Sequence, residues 1–522
     1  MTRHLPLLIA VVLALSSCSG GGEGVEGAGL ETAAPGATEE AGGGGEAAPA
    51  GTLVAAIGSQ PDQLDPHATT AYPSFQVLEN VYDTLVVPNP ETLEMEPSLA
   101  TEWETSDDEL TWTFTLRDDV TFHDGSTFDS ADVVYSFNRI IDEELANAYR
   151  FGSVEEISAP DETTVEIRLS EPAPNLLANI GAFKGMAILP ENGADDLDLA
   201  TEANGTGPFT LESFGADSIQ LSAFDDYWGE PAPSVDGVEF RFISEPTTAL
   251  TELQSGNVDW TDNIPPQQIG DLSNSEDVVL ETVPSVDYWY WTANFDREPF
   301  DDPQVREALS IGVDRAAVTE AAKFEAATVT QTAIPESSFW HTDYAPYEYD
   351  PERAQRLLSD AGVENLSMGL MVTDEFPETV TAAEVIASQL GEIGVEVEIQ
   401  QETFATWLDR QSQGDFDAFM LGWLGNLDPF DFYHSQHICD GSNNYHHYCN
   451  EESDDLLNQA ASETDQNRRK ELYDEAARNI VDDNSYMYLY NPDVVHAWKA
   501  RVSGFVTRGD KAINFETVEL SE

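Results

Sequence analysis

From about Phe300 onward the chain alternates helical and extended segments, and no other feature limits its fold more. Asp350 can cap a helix with Pro351 in its first turn, DPERAQRLLSDAG, which Gly362 would stop. LSMGLMV reads as a strand and PETVTAAEVIASQLGEIG as a helix ending at Gly394. VEVEIQQ is a strand, FATWLDRQSQG a helix and DFDAFMLGW a strand. Parallel strands need a crossover, and helices supply it, so this pattern calls for a mostly parallel, helix-covered sheet. A late helix, DQNRRKELYDEAARNIVDD, and an apolar strand, SYMYLYN, close the region.

The segment before Phe300 has a different character. LTWTFTLRDDVTFHDG holds a strand with Leu110, Trp112, Phe114 and Leu116 on one face and Thr111, Thr113 and Thr115 on the other. DSADVVYSFNRII follows as a helix, with Val133, Phe137 and Ile140 on one side and Asp129 or Ser130 as its N-cap. TTVEIRL is another alternating strand, broken off by EPAPN. Further upstream, TLVAAI from Thr52 reads as a buried strand and GSQPDQLDPH as a loop. In SFQVLENVYDTLV the i, i+4, i+8 spacing of Val77, Val81 and Leu85 predicts a helix. With 522 residues the chain can build two or three lobes with real cores, and it contains no internal repeat.

The N-terminus carries a targeting signal. MTRH is basic, and LPLLIAVVLAL is an apolar core too short for a permanent span. Leu15-Ser16-Ser17-Cys18 resembles the bacterial lipoprotein box, so residues 1–17 are expected to be cleaved and Cys18 lipidated. Residues 18–51, rich in Gly, Ala and Glu, cannot bury enough surface to order themselves and serve as a tether. That layout implies an extracytoplasmic protein anchored at the outer face of the cell membrane, or a periplasmic one. The chain has 98 acidic against 22 basic residues, a net charge of −76. Such a surface repels nucleic acid and anionic lipid. Self-repulsion on this scale eases in salt, where the Debye length falls to about 3 Å at 1 M. A salty habitat and a generally acidic extracytoplasmic surface both fit.

Signatures of catalysis do not appear. There is no G-x-x-x-x-G-K-[ST], no G-x-S-x-G and no H-E-x-x-H, and with 98 carboxylates a catalytic acidic pair has no distinguishing mark. No cofactor is implied. One dense stretch stands out, HSQHICDGSNNYHHYC at 434–449, with four of the nine histidines and two of the three cysteines. A metal site, a disulfide loop and a pocket wall are all open readings of it.

An ordered set of motifs identifies a resemblance. EPSLATEWETSDDELTWTFTLRDDVTFHDGSTFDSADVVYSFNRI resembles the signature of the extracellular solute-binding proteins of the peptide, nickel and opine group, the ligand-capturing subunits of ABC importers. SQPDQLDP, VYDTLV, GTGPFTL, LQSGNVDW, PQVREALSIGVDRAAV, YDPERAQRLLSDAG, GDFDAFMLGWLGNLDPFDFY and ELYDEAARNIVDDNSYMYLY follow in the family's order, from about Thr52 to the end. The resemblance implies an α/β, two-lobed periplasmic-binding-protein-like fold of the class II type, with an additional subdomain inserted in lobe 1. Lobe 1 would comprise 52–92, 205–296 and 490–522, the insert 93–204, and lobe 2 297–489. It also implies equilibrium capture of an oligopeptide or similar organic solute by a monomer, with no enzymatic step. Delivery would be to a membrane permease powered by a separate ATPase. A nickel or metal-chelate receptor of the same family is one alternative, and an exported hydrolase or metalloenzyme another.

The resemblance also places the ligand. Ligands of open α/β lobes sit beyond the carboxyl ends of strands. Trp423 would offer a stacking face, and Gly422 and Gly425 would allow close backbone approach. Peptide-binding relatives use an Asp in this loop for the ligand's ammonium; Asn426 holds one possible equivalent place and Asp428 lies two residues on. Where dipeptide-binding relatives carry an Arg for the peptide carboxylate, this chain reads MVTDEFPET, with Asp374 and Glu375, which favours a cationic or neutral ligand. Loop 59–72, with Gln60, Asp65 and Tyr72, would line the other lobe, and Asn444 and Tyr445 are further contacts. Relatives also carry a disulfide after the Trp loop, which implies Cys439–Cys449 here. That pairing removes both thiolates as ligands and leaves His434 and His437, three apart, as candidate metal ligands; His446 and His447 are adjacent and would diverge on a strand.

Overall fold

The computed structural model describes residues 51–521 except Glu91, Phe183, Glu364, Asp374 and Asn426. The expected signal peptide 1–17, the lipid site Cys18 and all of the tether but Gly51 lie outside the described residues, as do the candidate ligand contacts Asp374 and Asn426. No described helix is long and apolar enough to cross a membrane.

One twelve-stranded mixed sheet runs through the body. At one end Ser367–Thr373 pairs in parallel with Glu396–Glu402 and with Ala418–Trp423. Pro377–Glu392 and Phe404–Ser412 supply the crossover helices. The helix–strand alternation of the sequence thus becomes a parallel, helix-covered sheet. Its punctuation works as expected: Asp350 accepts from the Arg353 amide at 2.8 Å, and Gly362 and Gly394 take φ of 75° and 90°. The core here is the buried set around Leu309, Met368, Leu370, Ile386 and Met420. At the other end Thr52–Ile57 lies between Trp260–Thr261 and Gly237–Phe242, parallel to both. The antiparallel strands Ser218–Ala223 and Phe209–Phe214 complete that edge.

A single strand, Met487–Lys499, joins the two ends. Its start pairs with Tyr288–Ala293, and its remainder with Val278–Pro284 and Trp260–Thr261. The sequence predicts a strand only to about Asn491, because Pro492 cannot donate to a ladder. The strand continues because Pro492 sits where the ladder changes partners: its carbonyl accepts from Ser285, and it pairs with Ala327. Tyr288–Ala293 falls within the segment 205–296 of the expected first lobe, but it ladders onto Ala418–Trp423 from one end to the other.

A separate antiparallel sheet is built from Ala100–Thr105, Thr111–Leu116, Thr164–Leu169 and Val154–Asp161. The helix Ser130–Asp142 covers it, started by an Asp129–Asp132 capping box. Phe114, Val133, Phe137, Ile140, Val165 and Ile167 form its core. One expected helix is shorter than its spacing suggests. Tyr72–Leu78 is helical, but Val81 and Leu85, though buried, lie beyond it. The Asn80 side chain bonds the Gln76 and Ile513 carbonyls, while the carbonyls of Asn80 and Val81 accept from Phe209 and Gly207. These non-local bonds draw the chain out of the helix.

Candidate functional site

The carboxyl ends of three strands, Thr52–Ile57, Trp260–Thr261 and Ala418–Trp423, open toward the junction of the two sheet ends. Lys511 sits in that junction. Its ammonium pairs with Asp287, which is buried, and lies 5.9 Å from the Tyr72 ring. The other Asp287 oxygen accepts from the Gly425 amide at 3.1 Å. Gly425 is needed there, since a Cβ would fall 1.8 Å from the Val286 carbonyl oxygen. Gly422 likewise lets the Trp289 ring lie flat on the strand, where a Cβ would come within 2.5 Å.

One wall comes from the Thr52–Ile57 end. Asp262 directly follows Trp260–Thr261, and its Oδ2 accepts from Gln76 Nε2 at 2.7 Å. Its Oδ1 is buried and has no hydrogen-bond partner. Burial pushes this carboxyl up to about 6 against the opposing effects of Gln76 and Lys511. Tyr72 donates to the Lys511 carbonyl at 3.3 Å. Burial, followed by the carboxylates of Asp262, Glu79, Asp287 and Asp510, drives its phenol well above the usual value.

The other wall is aromatic. Trp289 stacks near Tyr490 with centroids 6.2 Å apart and meets Phe376 edge-on at 5.9 Å. Lys323 lies 5.4 Å from the Trp289 ring and bonds Glu378 at 2.8 Å. Burial would raise the Glu378 carboxyl, but Lys323, helped by Lys511, outweighs it and holds it below the usual value. The charge of Lys511 is thus felt by a carboxyl of each wall, Asp262 and Glu378. Tyr490 is fully buried, and its hydroxyl has no partner. Trp423 is half-buried against the Val286–Tyr288 cluster, and Leu424 beside it is 62% exposed.

Several expected contacts belong to the scaffold instead. Asp428, expected as a charged group for the ligand, is only 6% exposed and grips Arg469 through both oxygens at 2.6 and 2.7 Å. It also caps the helix Pro429–His437 by accepting from Phe430 at 2.9 Å. Both oxygens are thus engaged before any ligand arrives. Asn444 is buried and ties its own loop, donating to the Ile438 and Tyr448 carbonyls and accepting from the Tyr448 amide. Gln60 is exposed and turned to the Gly215 carbonyl at 3.4 Å. Asp65 is buried against Arg139 at 2.6 Å, and Arg139 also donates to His67. This lashes loop 59–72 to the helix Ser130–Asp142. Tyr72 does stand in the junction. Tyr445 is half-buried near Tyr290, and Glu375 is exposed.

The histidine-rich stretch is a stapled element. Cys439 and Cys449 form a disulfide. His434 bonds Asn458 at 3.1 Å and stacks on Phe430. His437 and His446, which the sequence gives no reason to pair, share the Ser485 hydroxyl at 3.0 and 2.8 Å. Burial takes His437 down to about 3 and His446 well below its usual value, so both are neutral. His434 and His437, the candidate metal pair, turn to different partners, and no described group of three or more His, Cys, Asp or Glu could hold a metal ion. Sequence reasoning missed Asp262, Trp289, Glu378, Tyr490 and Lys511. It also missed Arg150, whose guanidinium reaches from beside the separate sheet to Asp431 at 2.8 Å, with both side chains under a tenth exposed.

Comparisons with known proteins agree with this architecture. The family model described as bacterial extracellular solute-binding proteins, family 5 middle, matches residues 94–444. The chain is 28% identical to the dipeptide-binding protein of Escherichia coli K12, covering 90% of this chain and 94% of that one. It is 30% identical to the probable D,D-dipeptide-binding periplasmic protein of the same organism, covering 88% and 92%. Among solved structures, it is similar to a periplasmic binding protein of Helicobacter pylori in complex with the peptide STSA. The TM-score is 0.80 and the identity 28%, with 90% of this chain and 98% of that one covered.

Proposed function

Because the chain belongs to the bacterial extracellular solute-binding proteins of family 5, we propose that it captures a peptide or similar organic solute between its two walls and hands it to an ABC importer. The observation that carries this reading is the junction itself. Lys511 pairs with Asp287 and lies over the Tyr72 ring, Gly425 bonds the same Asp287, and strands from both ends of the sheet ladder onto the one continuous strand Met487–Lys499. The relatives named for dipeptides, each covered over most of its length, favour a peptide-like solute.

Binding works by population shift. A solute that touches both walls favours the closed arrangement by its differential affinity for that state, and no covalent step is required. Transport energy comes from a partner ATPase. In this reading the body divides into lobe 1 (52–92, 205 to about 287, and the C-terminal segment after Pro492), an insert at 93–204, and a second lobe carrying Tyr288–Ala293. Cleavage before Cys18 and lipidation there would hold the receptor at the membrane on a flexible tether. The net charge of −76 suits a receptor that works in high salt.

Mass spectrometry of solutes released on denaturing the purified protein tests the reading, together with melting curves against a di- and tripeptide panel. A released peptide, or a melting temperature that rises with peptide while no product forms, is the expected result. A protein that releases no peptide and responds to none would refute it, and so would peptide turnover proportional to protein concentration.

A further inference from the structure

We propose that the cleft selects solutes bearing a positively charged nitrogen, which docks on Asp262 while the Tyr490 hydroxyl bonds an acceptor on the same solute. The proposal rests on the solute-capture reading and names the chemistry of that site.

Three observations converge. First, Asp262 Oδ1 is buried with no hydrogen-bond partner, while Oδ2 is fixed by Gln76. A carboxylate oxygen in that state has lost its water and gained nothing in return, so a donor that reaches it finds an acceptor already desolvated. Second, the charges facing it do not balance. Lys511 is bonded to Asp287 and Lys323 to Glu378. Both lysines thus have a carboxylate of their own, and Asp262 is bonded to neither. Third, the opposite wall carries its own unfilled group, the Tyr490 hydroxyl, on a fully buried side chain. An acceptor on one wall and a donor on the other fit a solute with a cationic nitrogen and a carbonyl or carboxylate oxygen. The rival carboxylate in the Trp loop, Asp428, is closed to ligands by Arg469.

The groups that face Asp262 are Tyr72 and Gln76 from the helix Tyr72–Leu78 and Lys511 from the C-terminal segment. The Tyr72 phenol is driven well above its usual value, away from the range in which Asp262 titrates. Binding of a cation should therefore weaken as pH falls through about 6, where Asp262 takes up a proton.

The test measures binding of three probes by calorimetry to the wild type, Asp262→Asn and Tyr490→Phe. The probes are trialanine, with a free ammonium; N-acetyl-Ala-Lys-Ala amide, with a side-chain ammonium; and N-acetyl-trialanine amide, uncharged. The wild type is expected to prefer at least one charged probe over the uncharged one by about thirtyfold or more at pH 7.5. Whichever charged probe wins identifies the source of the nitrogen. Asp262→Asn should erase that preference and its pH dependence. Tyr490→Phe should weaken all bound probes about equally. Equal binding of charged and uncharged probes by the wild type, or a preference that survives in Asp262→Asn, overturns the proposal and leaves solute capture standing. If no probe binds, the solutes released from the two proteins decide. A cationic solute present in the wild type and lost from Asp262→Asn supports the proposal. A solute without a positive nitrogen overturns it, and no solute at all overturns the capture reading with it. Should Asp262→Asn fail to fold, Asp262→Glu substitutes, since the displaced charge should cut the preference without removing it.

Discussion

Two loops follow strands into the junction, and each carries an aspartate that the sequence alone cannot rank. After Ala418–Trp423, Asp428 is bound through both oxygens to Arg469 and caps a helix. After Trp260–Thr261, Asp262 is held by one oxygen and leaves the other unfilled. The first loop is further closed by the Cys439–Cys449 bond, by neutral His437 and His446 on Ser485, and by Arg150 on Asp431. The contrast teaches that a buried carboxylate acts as scaffold when its valences are spent and as a receptor group when they are not.

The largest effect should come from breaking the spent pair. Asp428→Asn leaves the Arg469 guanidinium buried without its counter-charge, and urea unfolding should show a loss of about 3–5 kcal/mol. A change under about 1 kcal/mol would mean the pair is not the scaffold it looks like. Next, replacing both cysteines by serine should cost about 2–3 kcal/mol through loop-closure entropy across a separation of 10 residues. That loss should appear without any change in probe selectivity, because selectivity is assigned to the other loop.

The histidines should make the first loop acid-labile. His437 is held neutral down to about 3, whereas in the unfolded chain it protonates near its ordinary value of 6.5. Below that value the unfolded state binds more protons, so stability falls as pH drops from about 6.5 toward 3. The slope per histidine is about 1.4 kcal/mol per pH unit. His446 adds in the same direction. His437→Gln should flatten the slope of the urea midpoint against pH; an unchanged slope would place the acid sensitivity elsewhere. The smallest effect, of opposite sign, belongs to Asp262. Its raised value means that ionising it costs the folded state, so ligand-free Asp262→Asn should be as stable as the wild type or more so, by about 1 kcal/mol, at pH 7.5. A clear destabilisation would erase the contrast between the two loops.

Local signals were legible in the sequence and long-range ones were not. The N-cap at Asp129, expected there or at Ser130, the Asp350–Pro351 helix start and the terminating Gly362 and Gly394 are set by neighbours within a few residues. The identity of Asp428 as scaffold depends on Arg469, 41 residues away, so composition and spacing could not supply it. Asp262 was hidden by number, one carboxylate among 98 acidic residues. Its position straight after an apolar strand was the only hint. Trp289 and Tyr490 lie on strands buried on both faces, where no alternation marks which side meets the ligand.

The continuous strand Met487–Lys499 has a mechanical meaning. In the capture reading Pro492, where it changes partners, would be the fulcrum, and Tyr490 stands two residues from it. A body that pivots moves least near its fulcrum and most at its rims. A solute wedged against Tyr490 therefore works at the short end of a lever, and a sub-ångström adjustment there becomes a much larger sweep at the outer edges. Those rims are the surfaces a membrane partner can reach. On the proposed reading the fold would convert a small chemical contact into a displacement large enough for another protein to feel.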